Sequence, residues 1–446
     1  MIKVITYGTY DLLHQGHINL LRRAKELGDY LIVGVTSDSF DRGRGKLNVR
    51  NNVLERVEAV KATGYADEVI IEDYLGQKID DIQKYDIDVF AIGSDWEGKF
   101  DYLNEYCKVV YLPRTEGISS TMLREGSQTN YHLGIIGSGR IANRFVPETK
   151  VVNGTQVVAV LNPDKCHAEA FAAKHNIEPY TDFDTFINKV DAVYVASPHL
   201  THYDYVKNAL LAGKHVLCEI PFVLSKAEAL ELYKLAEERG LVLMEASKTA
   251  FCPAFGHIVT LVKSGIIGDV VDVKASLSKQ VQPPTRELDA TQAGGAMNEH
   301  APLCLMAIMK LLGTDWRDVS FHTKKEGGVD IYTQGVINYP HATSSFTLGI
   351  GVKTEGNLVV SGTKGYIYVP APWWLTDFFE VRYEDQTKNK KYFYSYDGEG
   401  LRYEIQEWLS MIVNKRRFSY KLRHKESIAI ADMIEKFGNK ENVTEI

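Results

Sequence analysis

The sequence lacks most features that settle a protein's class at a glance. No apolar run approaches the roughly 18 residues that a membrane span needs. The five cysteines, at 107, 166, 218, 252 and 304, form no CxxC pair. That argues against a zinc cluster and against a disulfide framework. A reducing compartment fits this usage, and the expected location is cytoplasmic. There is no basic excess, since 51 Lys and Arg stand against 58 Asp and Glu, a net charge of −7. Without a cationic surplus to neutralise phosphates, general nucleic-acid binding is excluded. No internal repeat and no low-complexity tract stands out. The residues Met1–Leu13 lack a signal-peptide pattern and read as a strand.

What is present is length. The 446 residues, 45% hydrophobic and 24% charged, suit two to four globular domains. Apolar runs at Lys3–Tyr7, Tyr30–Val35, Glu68–Ile71, Val89–Ile92 and Val109–Leu112 predict buried strands. Between the first two, Leu20, Leu21, Ala24 and Leu27 share one helical face. Strand–helix alternation of this kind predicts a parallel sheet with helices on both faces. It stops at Leu123, and the polar stretch Arg124–Asn130 reads as a linker. A second alternating series starts with the strand His132–Gly137 and continues through Val157–Leu161, Ala192–Ala196, His215–Leu217 and Val242–Met244. Beyond about residue 255 longer strands follow: Val270–Ser278, Gln334–Asn338, Ser345–Gly351, Leu358–Val360 and Tyr366–Val369. Helices at Pro302–Leu312 and Arg402–Val413 flank a predominantly antiparallel sheet.

The densest chemical signal is Thr6–His17. A strand ends at Gly8 and a helix opens near Gly16, with His14 and His17 on its first turn. Free N–H groups at a helix start favour phosphate. Gly16 has no Cβ and lets a phosphate come close. Two histidines three apart point the same way and can hold oxygens on which charge builds during in-line transfer.

This HxGH turn resembles the HxGH nucleotidyltransferases. With Gly93–Phe100 and Tyr111–Thr121, residues 1 to about 125 are similar to glycerol-3-phosphate cytidylyltransferases. The resemblance implies that CTP and a small polyol phosphate react to give a CDP-alditol and pyrophosphate. Such products typically feed teichoic-acid-like or capsule polymers. It implies catalytic roles for His14, His17, Lys46 and Arg114. Nucleotide binding falls to Gly8, Thr9, Tyr10, Asp11, Gly16, Asp95, Gly117, Ile118, Ser119, Ser120 and Thr121. Magnesium would arrive with the CTP rather than in a protein cage. Two departures touch the acceptor side: Gly64 stands where relatives often carry Arg or Lys, and the loop Arg44–Asn52 differs.

The second signal is Gly137-Ser138-Gly139-Arg140-Ile141-Ala142, between a strand and a helix. Small residues there permit a tight turn and a close pyrophosphate. Asn162 stands where an acidic residue often meets the ribose, and Lys165 follows, so NAD and NADP both remain open. With Tyr194–His202, Ala212–Pro221, Gly294–Ala296 and Gly362–Tyr366, this part is similar to the Gfo/Idh/MocA oxidoreductases. The resemblance implies a cofactor site at Gly137, Gly139, Arg140, Ile141, Asn162, Ser197, His199 and Glu219. Two catalysts of that family are replaced. Its Glu-Lys-Pro motif reads Glu219-Ile220-Pro221, and the later His or Tyr falls on Leu303. Proton transfer needs a titrating group in reach. Lys248 and His300 are the candidate substitutes.

The expected fold class is α/β. Residues 1–126 form a Rossmann-like nucleotidyltransferase domain and 131–252 a dinucleotide-binding Rossmann domain. Residues 253–446 form an α+β domain with an open antiparallel sheet. The leading reading is an active cytidylyltransferase carrying a non-catalytic, NAD(P)-binding module. Its rivals are a bifunctional enzyme that first reduces a keto-phosphate and a nucleotide-sensing protein. No membrane insertion and no nucleic-acid partner are expected, and both parent families imply a homo-oligomer.

Overall fold

Alternation within one strand decides the architecture of the first unit. In β1 (Lys3–Gly8), Val4 packs with Leu21, Ala24, Val57 and Val60. Its neighbours Ile5 and Tyr7 turn the other way, onto Ile82, Phe90 and Leu103. A strand buried on both faces belongs between two helix layers. Each such side chain contributes about 1.5–3 kcal/mol on burial. The structure is a computed structural model. It describes residues 1–43, 49, 51, 53–74, 76–113, 130–394 and 398–446. The chain divides into two units, Met1–Thr129 and Asn130–Ile446. The expected linker lies outside the described residues except for Asn130.

In the first unit, α1 (Gln15–Lys25), β2 (Tyr30–Thr36), α2 (Asp38–Gly43) and α3 (Val53–Ala62) follow β1. Then come β3 (Glu68–Glu72), α4 (Gln77–Tyr85), β4 (Val89–Gly93) and β5 (Lys108–Leu112). The parallel sheet runs β3-β2-β1-β4-β5. Strand order reverses between β1 and β4, and such a switch point opens a crevice at the carboxyl ends of the strands.

The second unit begins with β6 (Tyr131–Ile136), α5 (Arg140–Thr149), β7 (Thr155–Leu161), α6 (Lys165–His175), β8 (Glu178–Tyr180) and α7 (Phe183–Ile187). It continues through β9 (Ala192–Val195), α8 (His202–Leu211), β10 (His215–Glu219), α9 (Lys226–Arg239) and β11 (Leu243–Ala246). The sheet order β11-β10-β9-β6-β7-β8 is that of a dinucleotide-binding Rossmann fold. Next come α10 (Lys248–Phe251), α11 (Pro253–Lys263), β12 (Val270–Ser278) and α12 (Ala296–Leu312). A second sheet adds β13 (Asp318–Glu326), β14 (Val329–Asn338), β15 (Thr343–Gly349), β16 (Leu358–Gly362), β17 (Tyr366–Val369), β18 (Phe378–Arg382) and β19 (Lys390–Phe393). Helices α13 (Leu401–Val413) and α14 (His424–Gly438) and strand β20 (Val443–Glu445) close the unit.

That second sheet is predominantly antiparallel, as expected, with two parallel pairs. In the order β19-β18-β17-β16-β12-β15-β14-β13-β20, the pairs β12–β15 and β13–β20 run parallel. Strand β13 escapes the sequence reading because His322 and Lys324 face solvent while Val319, Phe321 and Thr323 point inward. Helix α12 starts at Ala296, six residues before the expected Pro302, which the helix carries internally. From α14, Ile428 and Ala431 pack onto the Rossmann core beside Leu232 and Ala236, tying the end of the chain to its middle.

Candidate active sites

The HxGH turn sits on the β1–α1 connection, at the switch point of the first sheet. Gly8 is required there because a Cβ would lie 2.9 Å from the Tyr10 ring. Tyr10 and Leu12 adopt positive φ values of 54° and 46°. Non-glycine residues in that region store about 1–3 kcal/mol each, which surrounding structure must hold. Asp11, 2% exposed, supplies part of that hold by accepting from the Asn51 N–H at 3.0 Å. His14 caps α1, its Nδ1 accepting from the Gly16 N–H at 3.1 Å. An accepting Nδ1 puts the neutral ring's proton on Nε2. The His14 and His17 rings stack with centroids 3.8 Å apart, and Tyr10 meets His17 edge-on at 5.4 Å. The sequence pair is therefore one two-ring surface on a helix start. Asp95 lies exposed in the turn Ser94–Trp96 after β4, at the same end of the sheet.

A buried arginine, absent from the sequence reading, fixes this turn. Arg56 is 1% exposed. Its Nη1 donates to the carbonyls of Thr9 and Thr36, both at 2.8 Å, and contacts Asp41 at 3.2 Å. Nη2 pairs with Asp38 at 2.5 Å, and Nε donates to the Asn51 carbonyl at 3.0 Å. Asp41 also accepts from the Thr9 hydroxyl at 3.0 Å and the Thr36 hydroxyl at 2.5 Å. One guanidinium thus joins the HxGH turn, the end of β2, α2 and Asn51. A signal for it exists in the sequence. Val53, Arg56, Val57 and Val60 occupy i, i+3, i+4 and i+7 of α3, so a charge stands in the apolar stripe. Lys46, Arg114, Gly117, Ile118, Ser119, Ser120 and Thr121 lie outside the described residues.

In the second unit the glycine turn joins β6 to α5. Gly137 has φ +100°, and a Cβ on it would stand 2.5 Å from the Ala196 carbonyl oxygen. Gly139 caps α5, and a Cβ there would meet nothing within 4 Å. One glycine is forced by packing; the other leaves open room at a helix N-terminus, as a pyrophosphate requires. Arg140 is exposed and Ile141 half-buried on the first turn. Asn162 donates to the Ser138 hydroxyl at 2.7 Å and bridges the turn to the end of β7. These residues fit a dinucleotide. Lys165 reaches Glu169 at 3.7 Å.

Beyond β9 and β10 the cleft is polar. Ser197 accepts from the Thr201 hydroxyl at 2.7 Å. His202 ties the two strand ends, bonding the carbonyls of Pro221 at 2.9 Å and Ser197 at 2.8 Å. His199 is 8% exposed; burial and the adjacent Arg286 push its ring down to about 3, so it is neutral. Arg286 reaches His199 at 3.3 Å and Glu299 at 2.8 Å. Burial lifts Glu299 to about 7 despite that arginine. Glu219 turns to Tyr194, whose hydroxyl donates to it, and burial lifts Glu219 to about 7. Beside it lies Glu404 of α13, fully buried, with no hydrogen-bond partner on either oxygen among the described residues. The sequence reading singles out neither Arg286 and Glu299 nor Tyr194 and Glu404.

Residues 5–126 match the cytidylyltransferase-like family. Residues 131–247 match the oxidoreductase family with an NAD-binding Rossmann fold, and 255–368 its Gfo/Idh/MocA C-terminal domain. A glycerol-3-phosphate cytidylyltransferase of Bacillus spizizenii is 54% identical over 130 residues, 28% of this chain and 96% of that protein. A trans-1,2-dihydrobenzene-1,2-diol dehydrogenase of Macaca fascicularis is 31% identical over 326 residues, 70% of this chain and 97% of that protein. The chain belongs to both families. Its first unit is a cytidylyltransferase-like nucleotidyltransferase, and its second is a Gfo/Idh/MocA oxidoreductase by fold and descent. A 3-ketoreductase from Actinomadura kijaniata, solved with NADP and TDP-benzene, shares the second unit's fold. The TM-score is 0.64 at 21% identity, covering 71% of this chain and 99% of that one. Against the Gfo/Idh/MocA pattern, Ile220 directly follows β10 and Leu303 lies inside α12, both aliphatic.

Proposed function

We propose that the first unit transfers CMP from CTP to glycerol 3-phosphate or a similar polyol phosphate, releasing pyrophosphate. The stacked His14–His17 pair at a helix start carries this reading. An oxygen of the acceptor phosphate attacks the α-phosphorus in line. The Nε2–H of His14, with His17, stabilises charge on the α-phosphate oxygens. Lys46 and Arg114 neutralise the triphosphate, and Ser119, Ser120 and Thr121 hold its outer phosphates. Thr9, Asp11 and Asp95 shape the nucleotide pocket, and magnesium comes with the CTP. The partition 1–126, 131–252 and 253–446 belongs to the same reading.

The test is pyrophosphate release from CTP, magnesium and sn-glycerol 3-phosphate, then from a panel of polyol phosphates. His14→Ala is expected to slow it by at least about 100-fold, the usual loss for a donor on developing charge. No release with any acceptor overturns the proposal.

The second unit is read as an NAD(P)-binding module, with Gly137, Gly139 and Arg140 at the pyrophosphate and Asn162 at the ribose. Bound there, a nicotinamide would supply or accept a hydride. One observation favours the bifunctional reading over an inert module: Lys248 stands at the strand ends, two residues past Ala246, the β11 partner of Glu219. On that reading a ketone phosphate is reduced before cytidylylation.

A further inference from the structure

Two family catalysts are aliphatic here, and a substitute must come from a neighbouring element. A dinucleotide bound across the switch point of this sheet would extend its second half over the carboxyl ends of the β9–β11 strands. Strands β10 and β11 run parallel with Glu219 opposite Ala246. Ile220 directly follows Glu219 on one strand, and Lys248 comes two residues after Ala246 on the other. The lysine lost at 220 has a counterpart one strand over, at the same rim of the sheet.

The surroundings of Lys248 are unusual for a structural lysine. It is half-buried, and its Nζ donates to the Glu399 carbonyl at 2.9 Å. Its charge acts on both Glu219 and Glu404. Glu404 projects from α13, where Leu401, Glu404, Ile405 and Trp408 share the buried stripe. Glu404 is fully buried with both oxygens unpartnered among the described residues. A carboxyl so placed keeps its proton, because burial and the neighbouring Glu219 both disfavour its charge. Near Lys248 the fold gathers Glu219, which accepts from the Tyr194 hydroxyl, and the buried acid Glu404.

The rival is His300, one turn before Leu303 on the same face of α12. Burial pulls its ring down to about 4, and Lys279 adds to the effect. A neutral imidazole has little acid to offer at neutral pH.

We infer that Lys248 is the proton donor for reduction of a small phosphorylated ketone in the second unit, replacing the family lysine absent at Ile220. The inference rests on the bifunctional reading. In the step, the carbonyl carbon gains a hydride from reduced nicotinamide, which becomes oxidised. The C=O π pair moves to oxygen, and that oxygen takes a proton from Lys248 Nζ. Lys248 regains a proton from the Glu404–Glu219 pair, which refills from solvent. The ketone becomes the alcohol that the first unit activates, so one chain would make its own acceptor.

The test uses the full chain. NADH and NADPH are titrated by fluorescence, and oxidation is followed with dihydroxyacetone phosphate. Lys248→Gln retains a donor for the Glu399 carbonyl but has no proton to give. It is expected to bind nucleotide within about twofold of wild type and to lose at least about 100-fold in turnover. Ile220→Lys added to that variant is expected to restore part of the rate. A second readout is independent of turnover: acetic anhydride labelling of Lys248, mapped by mass spectrometry, is expected to fall when NADH is bound. Wild-type protein that binds NADH but oxidises none overturns the bifunctional reading and the inference with it. A fully active Lys248→Gln, or labelling that NADH does not change, overturns the role of Lys248 alone. NADH titration of each variant reports on folding of the second unit.

Discussion

The two units meet the same problem in opposite ways. Each sets an ionisable side chain in the apolar stripe of a helix, Arg56 in α3 and Glu404 in α13. Arg56 is paired on every side, with two aspartates and three carbonyls. Glu404 has no such partner among the described residues and is pushed well above the usual carboxylate range by burial. A paired buried charge holds geometry, and phosphoryl-type transfer needs little else. An unpaired buried carboxyl holds a proton instead. The difference fits the position-driven transfer proposed for the first unit and the proton-linked reduction proposed for the second.

The largest expected effect breaks the paired side. Arg56→Met leaves Asp41 buried without its cation, a change that typically costs about 3–5 kcal/mol. The first unit should then melt at markedly lower denaturant, with NADH binding by the second unit unchanged. Equal loss in both units would mean that Arg56 is no local clamp.

The next sharpens the side of the buried carboxyls. Glu245 on β11 is 1% exposed, and burial lifts it to about 7. A raised carboxyl favours the fold while protonated. Its contribution is full below about pH 4.5 and is lost as pH rises to about 7. Each tenfold difference in proton affinity between the folded and unfolded chain is worth roughly 1.4 kcal/mol. Glu245→Gln cannot ionise, so its stability relative to wild type should climb between about pH 4.5 and pH 7 and then level. Urea unfolding of the second unit across that range measures it. A constant difference would refute the burial argument.

How much of this is legible in the sequence follows from distance along the chain. His14 and His17 are three residues apart, so a helix start alone brings them together. The GxGxxA turn is equally local. Strands with apolar cores, such as Val270–Ser278 and Tyr366–Val369, can be placed to the residue. Strand β19, Lys390–Phe393, escapes because an exposed edge strand carries no buried pattern. Arg56 and Glu404 escape for a different reason. Their stripes are readable, but what each charge meets depends on residues such as Thr9, Asp41, Glu219 and Lys248, distant in sequence. Tertiary register decides those meetings, and no local pattern encodes it.

A smaller effect probes the dinucleotide turn. Gly137→Ala places a Cβ 2.5 Å from the Ala196 carbonyl at φ +100°. Backbone strain of this kind costs about 1–3 kcal/mol. NADH affinity should fall by one to two decades, about 1.4 kcal/mol each, while pyrophosphate release stays at the wild-type rate. Loss of both would mean that the two units are coupled.

The smallest effect separates two jobs of one residue. His14 caps α1 through Nδ1, and in the proposed transfer its Nε2–H meets the phosphate. Removing a cap typically costs about 1 kcal/mol, and asparagine caps well. His14→Ala should therefore lower the melting point of the first unit by a few degrees. His14→Asn should recover that stability, since its side-chain oxygen accepts from the Gly16 N–H. It should not recover turnover, because the Nε2 donor is gone. If His14→Asn restored both, the ring would matter only as a cap, and transition-state stabilisation would fall to His17 and the cationic side chains.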